Sequence, residues 1–125
     1  MPSSVYGKRI IIVEDSKLFL DKLRGLLSGM EGLEIVAIAR GAAEADELMR
    51  RYRPDCLLID MYLAEGAGLD VLRSVNTLPY RPLAIVMTSE PSEELERMCR
   101  LLGANSMIDK AQDFDRIPEI LGYAA

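Results

Sequence analysis

Cys56-Leu57-Leu58-Ile59-Asp60-Met61-Tyr62-Leu63 is the stretch that decides the fold: four apolar residues run unbroken into a carboxylate, and a glycine-containing turn follows. Such a continuous run is expected of a central strand covered on both faces. Two further runs have the same form. Ile10-Ile11-Ile12-Val13 empties into the acidic pair Glu14-Asp15, and Ala84-Ile85-Val86-Met87 into Thr88-Ser89. A shorter, partly polar run, Ser106-Met107-Ile108-Asp109, precedes Lys110. Strand ends therefore present three acids, a hydroxyl and an amine.

Between the runs the apolar spacing changes to that of helices. Phe19, Leu23, Leu26, Leu27 and Met30 form one stripe, with Ser16 or Asp15 able to cap its start. Ala42 to Tyr52 is a second helix, stopped by Arg53-Pro54, and Leu69 to Val75 a third. Leu95, Met98, Cys99 and Leu102 mark a fourth, with Pro91, Glu93 and Glu94 suited to its first turn. Ile117, Ile120 and Leu121 require a short last helix, starting close to Asp115 because Pro118 is tolerated only near a helix start. Leu33 to Arg40 mixes charge with apolar residues and reads as a strand nearer an edge; Ser106 to Asp109 suggests the other edge. Alternating strands and helices make an α/β fold, a doubly wound five-stranded parallel sheet with helices on both faces. Function in such sheets gathers beyond the carboxyl ends of the strands.

A chain of 125 residues, half of them hydrophobic, accommodates one core, and residues 1–125 are expected to form one domain with an ordered part from about 8 to 123. The formal net charge of -5 argues against direct nucleic-acid binding. Arg50, Arg51 and Arg53 lie beside Glu44, Asp46 and Glu47, the mixed pattern of a solvated helix face. No histidine occurs, and Cys56 and Cys99 are far apart, so zinc sites and Ser-His-Asp or Cys-His catalysis lack their ligands. Both cysteines are expected as buried thiols. Four apolar residues before Glu14-Asp15 are too few for a signal peptide or a membrane span, and a cytoplasmic location is expected.

Three carboxylates brought to one cleft repel one another unless a cation is present. Oxygen ligands without histidine or thiolate select a hard ion such as Mg²⁺. A hydroxyl at Thr88 and an ammonium at Lys110 would then hold the oxygens of a transferring phosphoryl group, with Asp60 as nucleophile. Singly, each residue has a plainer reading: Asp60 as a turn former, Glu14-Asp15 as helix caps, Lys110 as a surface lysine. Their joint placement at successive strand ends is what carries the chemistry.

From Lys8 to Tyr123 the chain resembles the receiver domains of bacterial response regulators, through Glu14-Asp15, Asp60 with Leu63 and Gly68, Thr88 with Ser89, and Lys110 preceded by Gly103-Ala104. The resemblance implies a flavodoxin-like sheet of order 2-1-3-4-5. It also implies Asp60 as phosphoacceptor, Mg²⁺ held by Asp15, Asp60 and the Met61 carbonyl, and Glu14 acting through water. A sensor histidine kinase or phosphotransfer protein would be the donor. The domain would catalyse only its own phosphorylation and dephosphorylation, and would switch the binding of a downstream partner.

The chain departs from the family where a proline usually follows the lysine and here Ala111 stands. A trans Lys110-Ala111 link and a reshaped loop are expected, because a cis bond to a non-proline residue costs about 2.5–4 kcal/mol. Ala64 replaces a common proline after the acceptor, predicting a looser loop. Met107 stands where an aromatic switch partner of Thr88 is usual, predicting a blunted response on that face. Tyr62 and Glu90, with Ser89, flank the approach of hydrolytic water, and Tyr62 could as well be a surface tyrosine. Leu18 lies off the core stripe at about 100° per residue, a docking contact for the kinase helix or an ordinary exposed leucine. Two other functions compete: a degenerate receiver that binds protein regardless of phosphorylation, and a haloacid-dehalogenase-like phosphatase, which would want an acid where Tyr62 stands.

Overall fold

The computed structural model describes residues 8–122; Tyr123, the expected end of the ordered part, falls outside them. Strands β1 (Lys8–Val13), β2 (Leu33–Ala39), β3 (Cys56–Asp60), β4 (Leu83–Thr88) and β5 (Ser106–Asp109) form one parallel sheet of order β2-β1-β3-β4-β5. Helices α1 (Lys17–Leu27), α2 (Ala42–Tyr52), α3 (Gly68–Val75) and α4 (Glu93–Leu101) connect them. A 3-10 turn at Phe114–Arg116 leads into a short α5 (Ile117–Ile120), with Pro118 in its first turn as its missing N–H requires.

Two apolar layers explain why the central runs are unbroken. Along each strand successive side chains face opposite ways, so Ile11, Val13, Leu57, Ile59, Ala84 and Val86 pack with α2, α3 and α4 through Met49, Val71, Leu72 and Cys99. Ile10, Ile12, Cys56, Leu58, Ile85 and Met87 pack on the other face with α1 and α5 through Leu23, Leu27, Ile117 and Leu121. Burying each such Leu or Ile contributes about 1.5–3 kcal/mol. A helix-length amphipathic segment could not have filled both layers at once. β2, at the edge, is mostly half-buried, as its mixed composition implies.

Some local expectations are corrected. Met30 lies beyond the end of α1, and Pro91 lies outside α4, whose N-cap is Ser92, its hydroxyl accepting the Leu95 N–H at 3.1 Å. Met98 is 41% exposed, because α4 covers the sheet with Leu95, Cys99 and Leu102 and turns Met98 aside. The loop after Asp60 is tied down despite Ala64. Met61 N–H donates to the Met87 carbonyl at 2.9 Å, Gly68 N–H to the Met61 carbonyl at 2.9 Å, and Ala42 N–H to the Glu65 carbonyl at 3.0 Å. Gly66 has φ +76°, and a Cβ there would lie 2.8 Å from that of Ala42. Cys56 and Cys99 are buried, and burial pushes the Cys56 thiol up to about 12, so it is packing rather than a nucleophile.

Candidate functional site

The parallel register brings the strand ends to one level. Asp60 pairs with Met87, and Thr88 with Asp109, so the residues that follow each pair meet over one edge of the sheet. Glu14 is held there by its backbone, its N–H donating to the Ala39 carbonyl at 2.9 Å. Its side chain is fully buried and uses both oxygens: Oε2 accepts the Ser16 N–H at 2.9 Å and Oε1 accepts an N–H of Lys110 Nζ at 3.0 Å. Burial raises the Glu14 pKa above its usual value, against the lowering effects of the Ser16 N–H and Lys110, and the nearby Asp60 charge raises it further.

Asp60 is 5% exposed. Its Oδ1 lies 3.3 Å from Lys110 Nζ and accepts the Tyr62 N–H at 3.4 Å. Lys110 thus bridges two acids from two strands, with only 14% of its side chain exposed. Asp15, half-buried, completes the group: one carboxylate oxygen from each of Glu14, Asp15 and Asp60 lies within 4.8 Å of the others. Lys110 pairs with Glu14 and Asp60, Lys17 and Arg40 line the cleft beside Glu14 and Asp15, and oxygen is the only donor type in the group. Three clustered carboxylates and that donor chemistry fit a hard divalent cation such as Mg²⁺. The Met61 carbonyl, expected as a further ligand, is engaged by the Gly68 N–H.

Thr88 is fully buried, and its hydroxyl oxygen accepts the Glu90 N–H at 3.1 Å. Its carbonyl accepts the Lys110 N–H at 2.9 Å, so hydroxyl and amine are set by one strand pair. Ser89 and Glu90 are exposed, as are Tyr62 at 60% and Leu18 at 81%. Met107 is half-buried against the α4 side of the core.

The link after Lys110 is trans, since no cis peptide occurs among the described residues. The loop is secured in another way. Asp109 Oδ1 accepts the Ala111 and Gln112 N–H groups at 2.8 and 3.2 Å, while Asp113 Oδ2 accepts the Asp109 N–H at 2.9 Å. These two acids escaped notice in sequence, where Asp109 counted only as the end of a strand; an Asp four residues before another across a turn is the signal that would have found them. Phe19 was assigned to the core stripe alone, yet its ring centroid lies 4.2 Å from Lys110 Nζ.

Fold and acid group together define a doubly wound protein with a carboxylate cluster and a lysine at the carboxyl edge of its sheet. The response regulator receiver domain model matches residues 10–122, and the chain belongs to that family. It is 34% identical over 103 residues to protein-glutamate methylesterase/protein-glutamine glutaminase 5 of Myxococcus xanthus, covering 82% of this chain and 30% of that protein. To the probable C4-dicarboxylate response regulator DctR of Priestia megaterium it is 27% identical over 112 residues, covering 90% of this chain and 49% of that one. The chain thus spans half or less of these relatives. The signal receiver domain of the putative response regulator NarL from Mycobacterium tuberculosis superposes with a TM-score of 0.84 at 20% identity, over 93% of this chain and 94% of that one. No helix among the described residues is long and apolar enough to cross a membrane.

Proposed function

We propose that this receiver domain is a phosphoacceptor switch in which Asp60 takes a phosphoryl group from the phosphohistidine of a sensor kinase or phosphotransfer protein. The observation that carries the reading is the bridging of Glu14 and Asp60 by one half-buried ammonium, at 3.0 and 3.3 Å, beside a three-carboxylate group. A capping or turn role for these acids needs no such convergence.

In the step, an Asp60 oxygen attacks phosphorus; the O–P bond forms as the P–N bond breaks, and the electron pair leaves with the imidazole nitrogen, which takes up a proton. Asp15 and Asp60, with Glu14 through water, would hold a Mg²⁺ ion, which would supply charge neutralisation at the phosphoryl oxygens. The Met61 carbonyl, which accepts the Gly68 N–H through one lone pair, would offer the other to the ion. Lys110 offers an N–H to a phosphoryl oxygen while keeping Glu14, and Thr88 turns its hydroxyl to another. Met107, beside the α4 layer, then repacks less sharply than an aromatic ring would, and phosphomimic-bound protein should show larger exchange shifts at Thr88 than at Met107. Tyr62, Ser89 and Glu90 screen the acyl phosphate from water, and Leu18 meets the donor helix. A cytoplasmic signalling role follows from this donor chemistry.

The test is labelling of the purified chain with acetyl phosphate or beryllofluoride. One phosphoryl group per chain, acquired only with Mg²⁺ and confined to Asp60, is expected. A chain that stays unlabelled yet binds its partner would instead support the phosphorylation-independent binding module.

A further inference from the structure

We propose that Phe19 is a positioning residue for Lys110, holding its ammonium at the acid cluster through the face of the ring; this rests on the phosphoacceptor reading above. An ammonium has three N–H bonds and no acceptor. At Lys110 one N–H goes to Glu14 Oε1 at 3.0 Å, and Asp60 Oδ1 forms an ion pair 3.3 Å from the nitrogen. The Phe19 ring takes the next side of the nitrogen, with the centroid 4.2 Å away, well inside the roughly 6 Å over which a ring quadrupole attracts a cation.

The ring is itself held from both ends. Phe19 is in the first turn of α1, whose entry is pinned by Ser16: its hydroxyl accepts the Phe19 N–H at 3.3 Å and its own N–H donates to Glu14 at 2.9 Å. On the far side Phe114, in the 3-10 turn after β5, meets Phe19 edge to face at 5.8 Å and 72°. The helix that carries one acid's neighbour and the loop that carries the lysine are thus joined through two rings beside the reacting group. A carboxylate binds an N–H along a preferred direction, whereas a ring face attracts a cation over its whole breadth. Lys110 can therefore pass from an Asp60 oxygen to a phosphoryl oxygen without leaving Phe19. The contact supports the side chain where Ala111 leaves the following loop without a proline, while the Asp109 and Asp113 carboxylates support the backbone.

A ring that merely fills space predicts something different from a ring that attracts charge. Mono-, di- and trifluorinated phenylalanine at position 19 keep the shape and drain the face of negative potential step by step. With acetyl phosphate and Mg²⁺, labelling of Asp60 should slow with each fluorine and reach about a fivefold loss in the trifluoro protein, with Phe19→Leu at least as slow and Phe19→Tyr near wild type. Equal rates across the fluorinated series would overturn the proposal, Asp60→Asn serving as the unlabelled control. A second readout needs no phosphorylation: the Lys110 ε-methylene resonances should be shifted upfield by the Phe19 ring and return to ordinary lysine values in Phe19→Leu. If they do not move, Phe19 does not hold Lys110. If they move while the wild-type chain cannot be labelled, positioning stands and the phosphoacceptor reading is what fails.

Discussion

The two ends of the sheet use the same kinds of residue to opposite effect. At the amino edge Asp55 Oδ2 accepts the Arg9 N–H at 2.7 Å, the Asp55 N–H donates to the Arg9 carbonyl at 2.8 Å, and the Arg53 guanidinium lies 4.6 Å from the Tyr80 ring centroid. Asp55 and Arg53 are both exposed to solvent. At the carboxyl edge Glu14 and Asp60 are buried and share a single ammonium with Asp15 nearby. Charge that is exposed and hydrated can hold a strand in register; carboxylates buried together store a demand for a cation. Burial, not residue type, separates scaffold from site.

The largest effect expected from breaking this contrast is at Asp60. Asp60→Asn removes the nucleophile, and mass spectrometry after acetyl phosphate treatment should show complete loss of labelling with the fold intact by circular dichroism. Next comes Lys110→Ala, which leaves two buried carboxylates without their ammonium. Urea unfolding should show a loss of about 2–4 kcal/mol, a good part of it recovered in millimolar Mg²⁺. Asp55→Ala, at the other edge, should cost about 1–2 kcal/mol through the lost Arg9 contact and leave Asp60 labelling at the wild-type rate. A fall in labelling there would erase the distinction between the two edges.

The smallest effect is at Glu14. Its pKa is raised in the folded state, so the folded state binds its proton more tightly than the unfolded one. The associated stability is present below the ordinary carboxylate pKa and is lost as pH rises through the folded value. In metal-free protein at neutral pH, Glu14→Gln should therefore gain under about 1 kcal/mol and flatten the pH profile in that window. Denaturant midpoints measured across mildly acidic pH would check both the sign and the slope.

The three central strands were legible because covered strands must be apolar on both faces, while the edge strands β2 and β5 were read from shorter or mixed runs. The bounds of α2 were legible too, since Arg53-Pro54 forbids continuation, and Arg53 closes the helix with φ 47°. The strand-end residues were legible because a parallel sheet collects its carboxyl ends in one place. What periodicity misses is contact between elements. A stripe assigns Phe19 to the interior without saying that the top of the stripe abuts the lysine loop, and it counts Met98 as core although α4 rotates it outward. The bonds that tie the loops, from Ala67 N–H to Asp70 and from Asp109 N–H to Asp113, close across turns that no apolar spacing records.

Gly68 gives the site a direction of stiffness. A Cβ there would lie 2.7 Å from the Asp60 carbonyl oxygen and 2.9 Å from the Met61 Cα, so the entrance of α3 rests directly against the acceptor's backbone. Were Asp60 to take the proposed phosphoryl group, its backbone could not recoil toward α3 without displacing that helix. The load would then fall on the opposite side, on Thr88, Lys110 and the loops beyond β4 and β5, with α3 as the abutment.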